Sequence, residues 1–270
     1  MKKLILLAAA SALATPVLAA PTAPAAPDAA RLKASVEKLV SFGTRHTLSS
    51  ATDPKRGIGA ARAWGKAEFE KIGKGCGGCL SVETVADRFT GPRAPDGVEV
   101  VDVLAIQKGS GDPNEVVIVA GHIDSRVTDV MNISSDAPGA NDNASGTALV
   151  IEAARVLAGQ KFNGTIVYAL LSGEEQGLWG GKLLASTAKA RGWHVRAMLN
   201  NDIVGNTVGQ NGQVVADRVR VFSEGIRAGD DAKANLTRRA IGGEDDGPSR
   251  ALAKAIDGIA QADPKIGLEP

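Results

Sequence analysis

Along the first third of the chain, apolar residues recur at helical spacing. Leu32, Val36, Leu39 and Val40 form one set and Ala60, Ala63, Trp64, Ala67 and Phe69 another, which predicts two helices between Asp28 and about Ile72. The polar segment 43–59 between them carries Pro54 and Gly57 and reads as a loop. The period then changes. Segments 80–85 and 98–107 are β-branched and partly alternating, and Gly91-Pro92-Arg93-Ala94-Pro95-Asp96-Gly97 separates them, the pattern of two paired strands. From residue 115 onward, apolar strands alternate with helices: strand 115–120, helix 145–158, strand 165–171, helix 178–191 and strand 195–200. Strands with no polar face need cover on both sides. The expected fold is therefore α/β, a three-layer sandwich whose mixed, mostly parallel central sheet is covered by helices on both faces. A further strand within 217–223 and a helix at 249–259 follow, around an Asp-, Arg- and Gly-rich exposed stretch at 225–247. With no internal repeat and no second composition regime, residues 28–270 are expected to form a single domain.

Composition narrows the function classes. The chain is 44% hydrophobic and 23% charged, which describes a folded protein and excludes collagen-like or largely disordered readings. Its 31 Lys and Arg against 30 Asp and Glu give a net charge of +1 and leave no basic footprint for nucleic acid. Aromatic residues at 3% also argue against a base-stacking platform.

Two features point to export. Lys2 and Lys3, the apolar run 4–14, Pro16 and the small residues Val17-Leu18-Ala19 before Ala20 predict a signal peptide over 1–19. The run is too short for a bilayer span, which needs about 20 apolar residues. No membrane association is expected after cleavage, and an Ala/Pro-rich flexible leader over 20–27 would follow. The expected location is periplasmic or extracellular. In such an oxidising compartment Cys76 and Cys79, the chain's 2 cysteines, are expected to close a small disulfide loop. A zinc ribbon would need a second Cys pair, and a redox pair would need a thioredoxin-like strand and helix around it.

The candidate chemistry collects just past the carboxyl ends of successive strands, where open α/β sheets place their ligands. Strand 115–120 runs into Gly121-His122-Ile123-Asp124-Ser125, strand 165–171 into Ser172-Gly173-Glu174-Glu175-Gln176-Gly177, and strand 195–200 into Asn201-Asp202. Between the first two lies Gly139-Ala140-Asn141-Asp142-Asn143-Ala144-Ser145-Gly146, a turn entering a helix. Taken singly, Asn-Asp-Asn before a helix is a cap and Glu-Glu complements a helix dipole. Together at neighbouring strand ends, one imidazole and several carboxylates are a ligand set for a divalent ion such as Zn²⁺. Adjacent Glu174 and Glu175 suit a division between general base and metal ligand, and Asp124 is placed to hold the free ring nitrogen of His122.

These motifs, in this order, resemble the zinc aminopeptidase family M28, with Glu174-Glu175-Gln176-Gly177-Leu178-Trp179-Gly180 and Asn201-Asp202-Ile203-Val204-Gly205 among them. The likeness covers roughly residues 98–223, and the Cys loop is similar to one in some members. The resemblance implies two zinc ions: His122 and Asp202 on one, Asp142 bridging both, Glu175 on the second and Glu174 as general base. The substrate would be a peptide with a free N-terminus, hydrolysed by a zinc-activated water. The family also places a His near its C-terminus on the second zinc, whereas this chain has His46, His122 and His194 alone. His46 lies upstream of the motif block. His194 begins the strand leading to Asp202, eight residues or ~26 Å away if extended. The sequence is thus expected to stop short of the family's last strands, and the 270-residue form to show little or no activity. Two other classes stay open: a glutaminyl cyclase, distinguished by one zinc and a cyclised product, and a catalytically inert binding module, distinguished by binding no metal. Oligomeric state is not legible.

Overall fold

The computed structural model describes residues 25–225, 229–245, 247–262 and 267–269. The predicted signal peptide and most of the leader lie outside them. Helices α1 (Ala29–Val40) and α2 (Ile58–Gly75) come first, as their spacing predicts. Asp28 caps α1, its carboxylate accepting from the Ala30 and Arg31 N–H groups at 2.8 and 3.3 Å. Cys76, at the C-terminal end of α2, is disulfide-bonded to Cys79.

Strands β1 (Ser81–Gly91) and β2 (Ala94–Gln107) pair antiparallel and run further than their apolar patterns. The segment expected as a long connection shrinks to Pro92-Arg93, with Gly91 opposite Ala94. Pro95 fits because it lies at the start of its strand, where a missing N–H leaves the rest of the ladder intact. Next come β3 (Glu115–His122), α3 (Gly146–Leu157), β4 (Thr165–Leu171), the short α4 (Glu174–Gly177), α5 (Trp179–Ala190) and β5 (His194–Asn200). The sheet order is β1-β2-β4-β3-β5: β2 is antiparallel to β4, while β4, β3 and β5 are mutually parallel. A separate parallel pair joins β6 (Arg218–Arg220) to β7 (Gly267–Glu269), with α6 (Ala232–Ala240) and α7 (Pro248–Ala262) between them in sequence.

Both sheet faces are covered, as the apolar strands demand. Ile166, Tyr168 and Leu170 of β4 pack with Leu39 of α1, Phe69 of α2 and Val150 of α3 in one buried cluster. Val167, Ala169 and Leu171 face the other way and pack with Leu184 of α5. This alternation is the period-2 geometry of a strand buried on both faces. Because β3, β4 and β5 are parallel neighbours, ~4.8 Å apart, their carboxyl ends deliver three loops to one sheet edge. Among the described residues, no helix is long and apolar enough to cross a membrane.

Candidate metal centre

His122 is the last residue of β3 and is buried, paired in register with Leu171 at the end of β4. Asp142 comes from the irregular turn Ala140–Ser145 that leads into α3, and its peptide bond to Asn143 is cis. Glu174 and Glu175 open α4 just past β4, and Asp202 follows β5. The loops are drawn close by glycine: a Cβ on Gly146 would lie 2.1 Å from the Asn201 carbonyl oxygen. Asn143 fastens the same junction, donating to Asn201 O at 2.8 Å and accepting from the Gly146 N–H at 2.9 Å.

These segments bring three carboxylates around one ring nitrogen. His122 Nε2 lies 3.2 Å from Asp142 Oδ1, 3.6 Å from Asp202 Oδ1 and 3.9 Å from Glu174 Oε2. Donors of His122, Asp142 and Asp202 all fall within 4.8 Å of one another. Ligands each about 2.0–2.2 Å from a tetrahedral zinc lie about 3.3–3.6 Å apart, so this set fits one zinc ion.

The electrostatics agree. Burial pulls the His122 pKa down, but Asp124, Asp142 and Asp202 around the ring outweigh it and raise the pKa to about 12. The pairing with His122 lowers the Asp142 pKa against its partial burial. Burial raises that of Glu174, with His122 opposing and Asp124, Glu175 and Asp202 adding to the rise. A divalent cation would balance the same carboxylates with the ring neutral and its Nε2 lone pair free.

Asp124 lies behind the ring. Fully buried, it places Oδ1 3.4 Å from His122 Nδ1 and accepts from the Glu174 and Glu175 N–H groups at 3.3 and 3.2 Å. It therefore touches the metal-facing side of His122 only through the ring. Glu175 stands apart from the three-donor group: its Oε2 accepts from Arg126 Nε at 2.6 Å. Burial raises the Glu175 pKa, and Arg126 opposes it. The remaining histidines lie elsewhere. His46 is buried against Val130 and Gln176, and exposed His194 begins β5 beside Glu115. An open cleft of about 480 Å³ borders Glu174 and Glu175 and is also lined by Pro92, Arg93, Arg126 and Leu178.

The sequence profile of peptidase family M28 matches residues 102–237, half of the chain, and spans every candidate ligand. This chain belongs to peptidase family M28. A protein of Pyricularia oryzae named "Probable zinc metalloprotease" is 46% identical over 251 residues, covering 89% of this chain and 49% of the relative. The chain thus spans about half the length of the curated relatives it matches. Among solved structures, the LapA aminopeptidase of Legionella pneumophila superposes with a TM-score of 0.57 at 20% identity, over 80% of this chain and 52% of that one. A glutaminyl cyclase of Bacteroides thetaiotaomicron superposes with a TM-score of 0.55 at 18% identity, over 68% and 65%. The family assignment thus rests on the M28 profile and on relatives named probable zinc metalloproteases.

Sequence reasoning missed Arg45, Thr47 and Arg126. Arg45 and Thr47 sit in the polar run read as a loop, and Arg126 adjoins a motif without belonging to it.

Proposed function

We propose that this M28 chain is an exported zinc aminopeptidase that hydrolyses the N-terminal residue from peptides. One observation carries the reading: His122, Asp142 and Asp202 converge within 4.8 Å, with the Glu174 carboxylate 3.9 Å from the same ring nitrogen. His122, Asp142 and Asp202 would hold a zinc ion, and Glu175 would join Asp142 on a second one. Bound zinc supplies Lewis acidity to the scissile carbonyl and acidifies water toward pKa ~7. Glu174, half-buried and pushed toward the protonated form by burial, accepts the attacking water's proton and passes it to the leaving amine. Asp124 fixes the His122 ring and, through two backbone N–H groups, the start of the Glu174-Glu175 helix. Carboxylate charge at the site left over after the metal is bound would favour a free ammonium on the substrate. Export is supported by the pattern of residues 1–19 and by the paired cysteines.

A glutaminyl cyclase is the second reading, favoured by there being, among the described residues, one three-donor cluster at this edge and by the pairing of Glu175 with Arg126. Incubating the zinc-loaded full-length protein with aminoacyl anilides and with a peptide beginning in glutamine separates the two. Release of free amino acids is the expected result; a cyclised N-terminus with no amino-acid release would replace it with the cyclase reading.

A further inference from the structure

The polar tetrad Thr44-Arg45-His46-Thr47 connects α1 to α2 and is buried throughout, with Arg45 1% and His46 0% exposed. A buried guanidinium needs partners for its whole fork of donors. The Arg45 guanidinium donates to backbone carbonyls. Its Nε donates to Ile123 O at 2.8 Å, between His122 and Asp124. Its Nη1 donates to Leu39 O at 3.1 Å and Pro138 O at 2.8 Å, and Nη2 to Gly139 O at 2.9 Å. One side chain therefore spans the end of α1, the loop after His122 and the turn that presents Asp142. The main chain adds a second tie: Arg45 N–H donates to Ser125 Oγ at 3.2 Å, and Ser125 N–H donates to Arg45 O at 3.3 Å.

The next two residues reach the remaining loop. His46 Nδ1 accepts from the Leu48 N–H at 3.1 Å, so Nε2 carries the proton and donates at 3.0 Å to Val130 O, which also accepts from the Gln176 amide at 3.4 Å. Gln176 directly follows Glu174-Glu175. Thr47 Oγ1 donates to Asp124 Oδ2 at 2.8 Å, the oxygen that also accepts from the Glu175 N–H.

We propose that Arg45, His46 and Thr47 are positioning residues of the metal centre, a hub upstream of the matched region that sets the relative placement of the His122, Asp142 and Glu174 loops. The inference rests on the metal reading above. It acts through geometry: Thr47 orients Asp124 and thereby the His122 ring, and Arg45 holds the turn before Asp142 to the loop after His122. Hydrogen-bond partners behind metal ligands are typically worth about 10–100-fold in affinity.

The test is zinc affinity of the whole chain, by competition with a chromophoric chelator, beside the melting temperature of the metal-free protein. Thr47→Val removes the hydroxyl at nearly constant volume and is expected to weaken zinc binding about tenfold, whereas Thr47→Ser stays within about twofold of the wild type. Arg45→Lys keeps the charge but offers a point ammonium in place of the fork, and is expected to weaken binding also. If Arg45→Lys fails to fold, the Thr47 pair decides. Wild-type zinc affinity in Thr47→Val, whatever the melting temperature, would reduce the hub to a structural element and overturn the inference alone. A wild-type chain that takes up no zinc would overturn the metal reading and the hub with it.

Discussion

Asp124 reaches His122 on the ring nitrogen facing away from the convergent carboxylates, with Oδ1 3.4 Å from Nδ1. The same carboxylate, fully buried, anchors the two N–H groups that open the Glu174-Glu175 helix. Asp124→Asn keeps the size and one oxygen but loses the charge that stabilises the ring. We expect zinc affinity to fall about 10–100-fold, read by chelator competition; an unchanged affinity would remove Asp124 from this role.

Glu174 is near the ring nitrogen without being one of the three grouped donors. In the full-length protein, Glu174→Gln should therefore bind zinc within a few-fold of the wild type while kcat on an aminoacyl anilide drops by about 10²–10⁴. Lost zinc would make Glu174 a ligand, and an unchanged kcat would deny it the proton transfer.

Gly146 sits where α3, β3 and the Asp202 loop meet. A Cβ there would press on the Asn201 carbonyl at 2.1 Å and on Asn143 Oδ1 at 2.4 Å, so Gly146→Ala must move backbone. Urea denaturation should show a loss of about 1–3 kcal/mol or more, with weakened zinc binding as Asp202 shifts. Wild-type behaviour in both measurements would mean that the loops approach less closely than described.

Asp102 offers a pH prediction away from the metal. Burial raises its pKa well above the ordinary carboxyl value, against the Ser172 N–H, which it accepts at 2.8 Å, and against nearby Arg62. With the folded pKa above the unfolded one, the folded state binds more protons, so this group's contribution falls as pH rises from about 4 toward the folded pKa. Asp102→Asn keeps an oxygen for Ser172 and removes that loss. The variant should be more stable than the wild type near pH 7, with the gap narrowing as pH falls to 4. A pH-independent gap in denaturant unfolding would contradict the assignment.

The sheet was legible because burial on both faces leaves a plain signature. The apolar run 165–171 is β4 itself, and the alternation around it fixed the neighbouring parallel strands. The grouping of His122, Asp142 and Asp202 followed, since parallel neighbours must present their carboxyl ends together. Other features were not legible. Polarity alone does not distinguish a loop in water from one satisfied by buried carbonyls, so nothing in the loop segment 43–59 singles out Arg45 and Thr47. The pairing of Glu175 with Arg126 depends on where two side chains point after their strands end, which no periodicity encodes. The hairpin exceeded its apolar pattern because β1 and the outer part of β2 are partly exposed and tolerate Thr, Arg, Pro and Asp.

The central claim is a divalent ion between His122, Asp142 and Asp202, and anomalous diffraction at the zinc edge from zinc-soaked crystals tests it most directly. The account predicts a peak about 2.0–2.2 Å from His122 Nε2 and from a carboxylate oxygen each of Asp142 and Asp202. A crystal with no peak there, or with zinc held instead by the Asp112, Glu115 and His194 group at the other end of β3, would contradict it.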